Sequence, residues 1–231
     1  MTSSKWSAHG NVYLLVEEER LTPDRARELS SAYETDGVLE VLDVLGAEAE
    51  IAVWNPDGSR AELSGNGTRI AARWLAEREG ADEVRIRVGD RVTKARIAGD
   101  LVEQELGRVE VGAPEDVEGI RFVPVSVGNP HAVVEADPAE IRRIGPLLGR
   151  HRRFPEGTNV QIARIDGPGH VIARVWERGV GETESSGTSA VAVAAATRGE
   201  GETEVAFPGG TLRVRIEEGL AFLTGPAERI G

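Results

Sequence analysis

Ser185-Ser186-Gly187-Thr188-Ser189-Ala190-Val191-Ala192-Val193-Ala194-Ala195-Ala196-Thr197 is the stretch on which the fold turns. A turn of small residues runs into a helical segment, Thr188 to Thr197, that is nearly all alanine and valine. A helix with no polar face has to be buried on every side. An earlier stretch follows the same plan. Ser64-Gly65-Asn66-Gly67 leads into a helical run from Thr68 to Arg78, again after a strand-like segment. Together they read as an internal duplication: two β-rich halves, each built around one buried helix.

The segments around these helices alternate with period two, as half-buried strands do. Val84, Ile86 and Val88 followed by Val92 and Ile97 predict a hairpin turning at Gly89-Asp90. Val171, Ala173 and Val175 predict another strand, and Leu212 to Phe222 a closing hairpin around Glu217-Glu218-Gly219. Two further helices carry start signals. One runs from Pro23 to Tyr33 with Thr22 as cap and proline in its first turn, the other from Pro138 to Leu148 with Asp137 as cap. Pro114 and nearby acidic residues interrupt the pattern between Ala113 and Gly119, which places the halves at 1–116 and 117–231. A final strand near 220–228 is positioned to return to the first half. The expected class is α+β, with two similar lobes, each a β-barrel-like sheet around a central buried helix.

Composition limits what such a molecule does. Its 231 residues are 40% hydrophobic and 29% charged, a soluble globular balance. A formal net charge of -12 repels phosphate backbones, so no nucleic-acid partner is expected. No apolar run reaches the roughly 20 residues that span a bilayer, and Met1 to Ser7 lack a signal-peptide core, so the expected compartment is the cytoplasm with no membrane partner. Cysteine is absent, which removes disulfides and thiolate metal sites. His9, His131, His151 and His170 have no ligand spacing, so no metal is expected.

Several polar groups interrupt apolar surroundings. A helix start presents unpaired N–H groups and a partial positive charge, and glycine there lets a ligand approach the backbone. The turns at Gly65-Asn66 and Gly187-Thr188 are thus candidate cradles for a carboxylate, although each alone is equally a tight turn. Asn129 offers donors and an acceptor, and His131 is a base near neutral pH or a core histidine. Asn159 ends another loop. Glu177 and Arg178 close an apolar strand, where the guanidinium can grip a carboxylate or pair with a neighbouring acid. Asn55 precedes Pro56-Asp57-Gly58 and is also a turn former.

In order, these segments resemble the motifs of the diaminopimelate epimerase family. Asn55-Pro-Asp-Gly-Ser-Arg-Ala-Glu-Leu-Ser64-Gly-Asn-Gly-Thr-Arg69 is similar to its first active-site motif, Gly128-Asn-Pro-His131 to the second, and Phe154-Pro-Glu-Gly-Thr-Asn159 to the third. Val175 to Thr183, running into Ser186-Gly187-Thr188, is similar to the fourth, and Gly10-Asn11 and Leu223 to Glu228 fit as well. The resemblance spans nearly the whole chain. It implies an active site in a cleft between the lobes and a reaction at the α-carbon of an amino acid without pyridoxal phosphate, metal or other cofactor. In the family one cysteine thiolate removes the α-proton and a second thiol protonates the opposite face, interconverting LL- and meso-diaminopimelate for lysine and peptidoglycan precursors. Carried over by motif, those positions are Ser64 and Ser186. The groups assisting them correspond to His131 and Glu177, and the substrate-binding set to Asn11, Asn55, Gly65, Asn66, Asn129, Asn159, Arg178, Gly187 and Thr188. The implied partner is a small amino acid, and a second copy of the chain is the candidate protein partner.

The departures from the family pattern carry the chemistry. A thiol ionises near pKa ~8.5 and an alcohol near that of water, ~15.7, so an alkoxide costs about 10 kcal/mol more than a thiolate. Val12 stands where the family usually has aspartate, and Glu34-Thr35 where a glycine-rich stretch is expected. Three readings follow: a diaminopimelate epimerase slowed by serine; a related isomerase or dehydratase with Glu177 or His131 as base; and a non-catalytic amino-acid-binding paralogue.

Overall fold

The computed structural model describes residues 2–17, 20–61 and 64–231. Two compact units emerge: Met1–Glu105 with Thr224–Gly231, and Leu106–Leu223. The division thus falls at Glu105-Leu106, about ten residues before the boundary that Pro114 suggested. The reason is local. The interrupted segment is no linker but a short hairpin, Glu115–Val117 against Ile120–Ser126, inside the second unit.

In the first unit the chain runs through β1 (Thr2–Ala8), β2 (Asn11–Glu17), α1 (Pro23–Tyr33), β3 (Gly37–Leu45), β4 (Glu48–Trp54), β5 (Arg60–Ala61), α2 (Gly65–Glu79), β6 (Glu83–Val88), β7 (Arg91–Ala98) and β8 (Leu101–Arg108), which crosses into the second. The second continues with β9 (Glu110–Val111), β10 (Glu115–Val117), β11 (Ile120–Ser126), β12 (Pro130–Glu135), α3 (Ile141–Gly149), β13 (Asn159–Gly167), β14 (His170–Glu177), β15 (Gly181–Thr183), α4 (Gly187–Thr197), β16 (Gly201–Phe207), β17 (Gly210–Glu217), β18 (Leu220–Pro226) and β19 (Glu228–Arg229). The return crossing lies within β18, and β19 pairs with β1 in the first unit.

The two units repeat one topology. β1 and β2 pair antiparallel, α1 crosses over, β3 joins β2 in parallel, and β4 turns back on β3. The short β5 then leads through α2 to β6, parallel to β4, and on to β7. In the second unit β11 and β12, α3, β13, β14, β15, α4, β16 and β17 repeat each step with the same pairing senses. The sequence-level duplication is therefore a duplication of structure.

Each unit holds two cores, one on either face of its sheet. Tyr13 and Leu15 of β2 point at α2, while Leu14 and Val16 point at α1. In the second unit Val133 points at α4, while Ala132 and Val134 lie under α3. α2 touches β1, β2, β4, β6 and β7, and α4 touches β11, β12, β13, β14, β16 and β17, so each sheet curls around its central helix. Every residue of α4 from Gly187 to Ala195 is buried, as an unpatterned Ala/Val helix requires. α2 begins at Gly65 rather than Thr68, because Gly65, Asn66 and Gly67 form its first helical turn instead of a turn before it. The Pro138 to Leu148 segment divides into a single 3-10 turn, Pro138–Glu140, capped by Asp137, followed by α3. Among the described residues no helix is long and apolar enough to cross a membrane.

Candidate active site

Ser64 is the N-cap of α2, with extended backbone, and its Oγ accepts the Gly67 N–H at 3.0 Å. That is the role sequence physics gives a serine ahead of a helix. A second contact was not anticipated: the Tyr13 hydroxyl lies 3.0 Å from Ser64 Oγ. Gly67 leaves room for this arrangement, since a Cβ there would crowd Ser64 Oγ at 3.2 Å and Leu39 Cδ2 at 3.0 Å. The buried Gln104 donates to the Gly65 carbonyl at 2.8 Å, and the Thr68 hydroxyl lies 3.0 Å from Gln104 Oε1. Asn66, also buried, accepts at Oδ1 from Nη2 of Arg69, whose Nε donates to the Pro226 carbonyl. Arg69 is fully buried and desolvation pushes its pKa down to about 10, so it stays charged at neutral pH. Its Nη1 is a buried donor with no partner among the described residues.

Ser186 is the N-cap of α4, yet its side chain caps nothing. Its hydroxyl donates instead to the Glu177 carboxylate, which also accepts from Thr183 Oγ1 at 2.6 Å. Burial pushes the Glu177 carboxyl above the usual range, and the two hydroxyl donors pull the other way without cancelling it. Gly187 and Thr188 form the buried start of α4, where the first N–H groups have no partner within the helix.

The remaining residues singled out in the sequence divide between the units. In the first, Asn11 opens β2 after a tight turn through His9 (φ 51°) and Gly10 (φ 80°). Asn55 closes a turn, its Nδ2 donating to Ser59 Oγ and its carbonyl accepting from Gly58. In the second, Asn129 is half-buried and its Oδ1 faces His131 Nε2 at 2.9 Å. His131 is only 1% exposed, and Gln161 Nε2 meets its Nδ1 at 3.0 Å. Gln161 also donates to Ser189 Oγ, so Nδ1 is the acceptor and Nε2 carries the proton towards Asn129. Burial pushes His131 down to about 3, against the Gln161 hydrogen bond and with the nearby Arg178 charge, so the ring is neutral. Asn159 uses both ends of its amide: Nδ2 donates to the Pro130 carbonyl and Oδ1 accepts the Arg178 N–H. The Arg178 guanidinium is exposed, and its Nη1 makes a long 3.5 Å approach to the Glu156 carbonyl. Among the described residues no three histidine, aspartate or glutamate side chains gather as metal ligands.

Sequence reasoning passed over Tyr13, Arg69, Gln104, Gln161 and Thr183. Tyr13 was within reach: it lies two residues from Asn11, so its side chain shares that face of β2. Arg69 was legible as an arginine inside an otherwise apolar helix face. Nothing in the sequence marks Gln104 or Gln161, whose inward direction depends on strand register.

A diaminopimelate epimerase from Xanthomonas axonopodis pv. citri is 37% identical over 211 residues, 79% of this chain and 74% of its own. One from Synechocystis sp. is 30% identical over 100% of this chain and 97% of its own. The chain belongs to the diaminopimelate epimerase family. The family's model, described as diaminopimelate epimerase, matches residues 123–230, which covers most of the second unit. The fold extends further. A phenazine biosynthesis protein of the PhzF family from Bacillus anthracis covers 99% of this chain at a TM-score of 0.75 and 14% identity. A hydroxyproline epimerase from Agrobacterium vitis, solved with trans-4-hydroxy-L-proline, covers 99% at 0.70 and 17%. These two likenesses are of fold alone.

Proposed function

We propose that this protein epimerises diaminopimelate at its α-carbon by two-base proton transfer without a cofactor, Ser64 serving one face of that carbon and Ser186 the other. The observation that carries the reading is the placement of both serines at the N-caps of the two buried helices. There the helix starts offer N–H groups and positive potential to the substrate carboxylate, and to the negative charge that develops when the α-proton leaves. The exposed Arg178 is suited to a second carboxylate, and Asn129 to a polar contact through its Nδ2, since its Oδ1 already faces His131.

Serine alone is a poor proton acceptor, and the second unit has an answer to that. Glu177 sits behind Ser186, hydrogen-bonded to it, with its proton affinity raised by burial. A carboxyl so perturbed takes a proton that a lone alcohol cannot hold. His131 is the weaker candidate base, because both ring nitrogens face amides and its basicity is suppressed. The same Glu177 geometry favours a second reading, a related isomerase or dehydratase in which the carboxylate acts directly on the α-proton.

The test is incubation of the protein in deuterium oxide with LL- and meso-diaminopimelate, followed by mass spectrometry and chiral separation. Deuterium at the α-carbon with isomer interconversion supports the reading. Binding of the isomers without any exchange sinks it and leaves an amino-acid-binding protein. The reading also implies a cytoplasmic protein with a small amino acid as its ligand, and a homodimer, which light scattering checks.

A further inference from the structure

Among the described residues no carboxylate is hydrogen-bonded to Ser64 as Glu177 is to Ser186. What stands there is Tyr13, with its hydroxyl 3.0 Å from Ser64 Oγ. We infer that Tyr13 is the proton-carrying partner of Ser64 and acts on the substrate through it. The inference rests on the proposed function, because it needs Ser64 to face the α-carbon.

Three observations support it. The fold makes room for this ring: a Cβ on Gly37 would lie 2.7 Å from Tyr13 Cε1 and 2.6 Å from the Trp54 carbonyl, so the phenol occupies space that only glycine leaves. The rest of the ring is buried in the core around α2, which fixes where its hydroxyl points. Ser64 Oγ meanwhile accepts the Gly67 N–H, so its one proton is available to Tyr13 Oη, and either oxygen of the pair can donate. That is the geometry of a two-oxygen relay anchored at a helix N-terminus.

The chemistry then divides as acidity dictates. A phenol ionises near pKa ~10 and an alcohol near ~15.7, so a negative charge shared by the pair resides on tyrosine by a factor of about 10⁵ to 10⁶. To deprotonate the substrate, Ser64 Oγ takes the α-proton while its own proton passes to the Tyr13 phenolate. The C–H electron pair stays on the α-carbon, and the charge lost from tyrosine appears on the substrate. To protonate the opposite stereoisomer's carbanion, the same two protons move back.

The experiment measures α-deuterium exchange against pH for the parent, Tyr13→Phe, Ser64→Cys/Ser186→Cys and the triple variant, each checked for folding by circular dichroism. General acid–base assistance is typically worth 10² to 10⁴, so Tyr13→Phe is expected to slow exchange at least about 100-fold where residue 64 is serine. The rise of rate with pH that the phenol confers goes with it. In the Cys/Cys background, where a thiolate needs no relay, the same change is expected to cost less than about threefold. An equal loss in both backgrounds makes Tyr13 a packing residue and overturns the inference, as does no loss in the serine protein. No exchange by the parent with either isomer overturns the proposed function and the relay together, whereas exchange indifferent to Tyr13 overturns the relay alone.

Discussion

The two helix starts come from one repeated topology and have been equipped differently. At α2 the serine hydroxyl is committed to its own helix: Ser64 caps Gly67 and meets a phenol. At α4 the serine turns away from its helix and binds a carboxyl with raised proton affinity. The supporting amides differ in the same way. Asn66 is held by a buried, charged arginine, and Asn129 by a buried, neutral histidine. The lesson is that duplication preserves the place of a serine oxygen at an N-cap, while its hydrogen-bond partner is set by whichever neighbouring strand supplies one: β2 for Ser64, the end of β14 for Ser186.

The largest effect expected from breaking this pair is a gain. Restoring cysteine at both Ser64 and Ser186 is expected to raise α-proton exchange by orders of magnitude, and either single replacement much less. Inversion needs a base on one face and an acid on the other, so the sites act as a unit and their effects are non-additive. The thiolate forms for about 10 kcal/mol less than the alkoxide, a limit reached only if no other step takes over. Deuterium wash-in across the four proteins measures it. A double variant no faster than the parent would mean that the serines are not the weak element and that Glu177 acts directly.

Glu177→Gln comes next. It removes the carboxyl while leaving an amide able to accept from Ser186 and Thr183. Exchange is expected to fall about 100-fold or more. Stability should move the other way, and only at higher pH. A carboxyl whose folded pKa is raised contributes stability that is complete below its unfolded pKa and is lost as pH rises through the folded one. Glutamine carries no such loss. Urea melts should therefore show the variant gaining on the parent from acid towards neutral pH. A constant difference across that range would contradict the raised proton affinity of Glu177.

Much of this comparison was open in the sequence, and the reason is periodicity. The Ala/Val run of α4 has no polar stripe and announced burial by itself. Strands covered on one face, such as β6 and β7, showed their alternation. β2 did not, because α1 covers its second face and turns it into a continuous apolar run. The loops that carry the motifs were legible as glycine-rich breaks. Their partners were not: Tyr13, Gln104, Gln161 and Thr183 reach the motif residues of their own unit through strand register, which a hydrophobicity pattern does not encode. The boundary near residue 116 failed for a related reason, since a proline just ahead of a short hairpin looks like one within a linker.

A smaller effect separates the two serines as structural residues. Ser64→Ala deletes a helix cap and should cost about 1 kcal/mol of stability. Ser186 caps nothing, so Ser186→Ala should cost less in thermal unfolding while still altering the pH dependence of exchange through Glu177. Equal destabilisation by the two would erase the distinction between a serine that holds its helix and one that serves a carboxyl.

The smallest expected effect is the absence of one, at His131. An ordinary histidine gains a proton near pH 6.5, so its ring ¹⁵N resonances move strongly between pH 5 and 8. The His131 resonances should not move there, and should show the proton on Nε2, because burial holds the folded pKa down to about 3 and Gln161 donates to Nδ1. The consequence for stability follows from the sign of the shift. The folded ring refuses a proton that the unfolded chain accepts, so the stability it allows is complete above about pH 6.5 and is lost steadily on acidification towards 3. His131→Gln keeps an amide to face Asn129 and removes the titrating ring, so it should flatten the acid limb of the stability curve. Its effect on exchange should appear in KM more than in kcat, as expected of a group that orients a substrate-binding amide instead of carrying the proton. A His131 signal that titrates near 6.5 would return the imidazole to the list of bases, and the contrast between a charged support in one unit and a neutral support in the other would be lost.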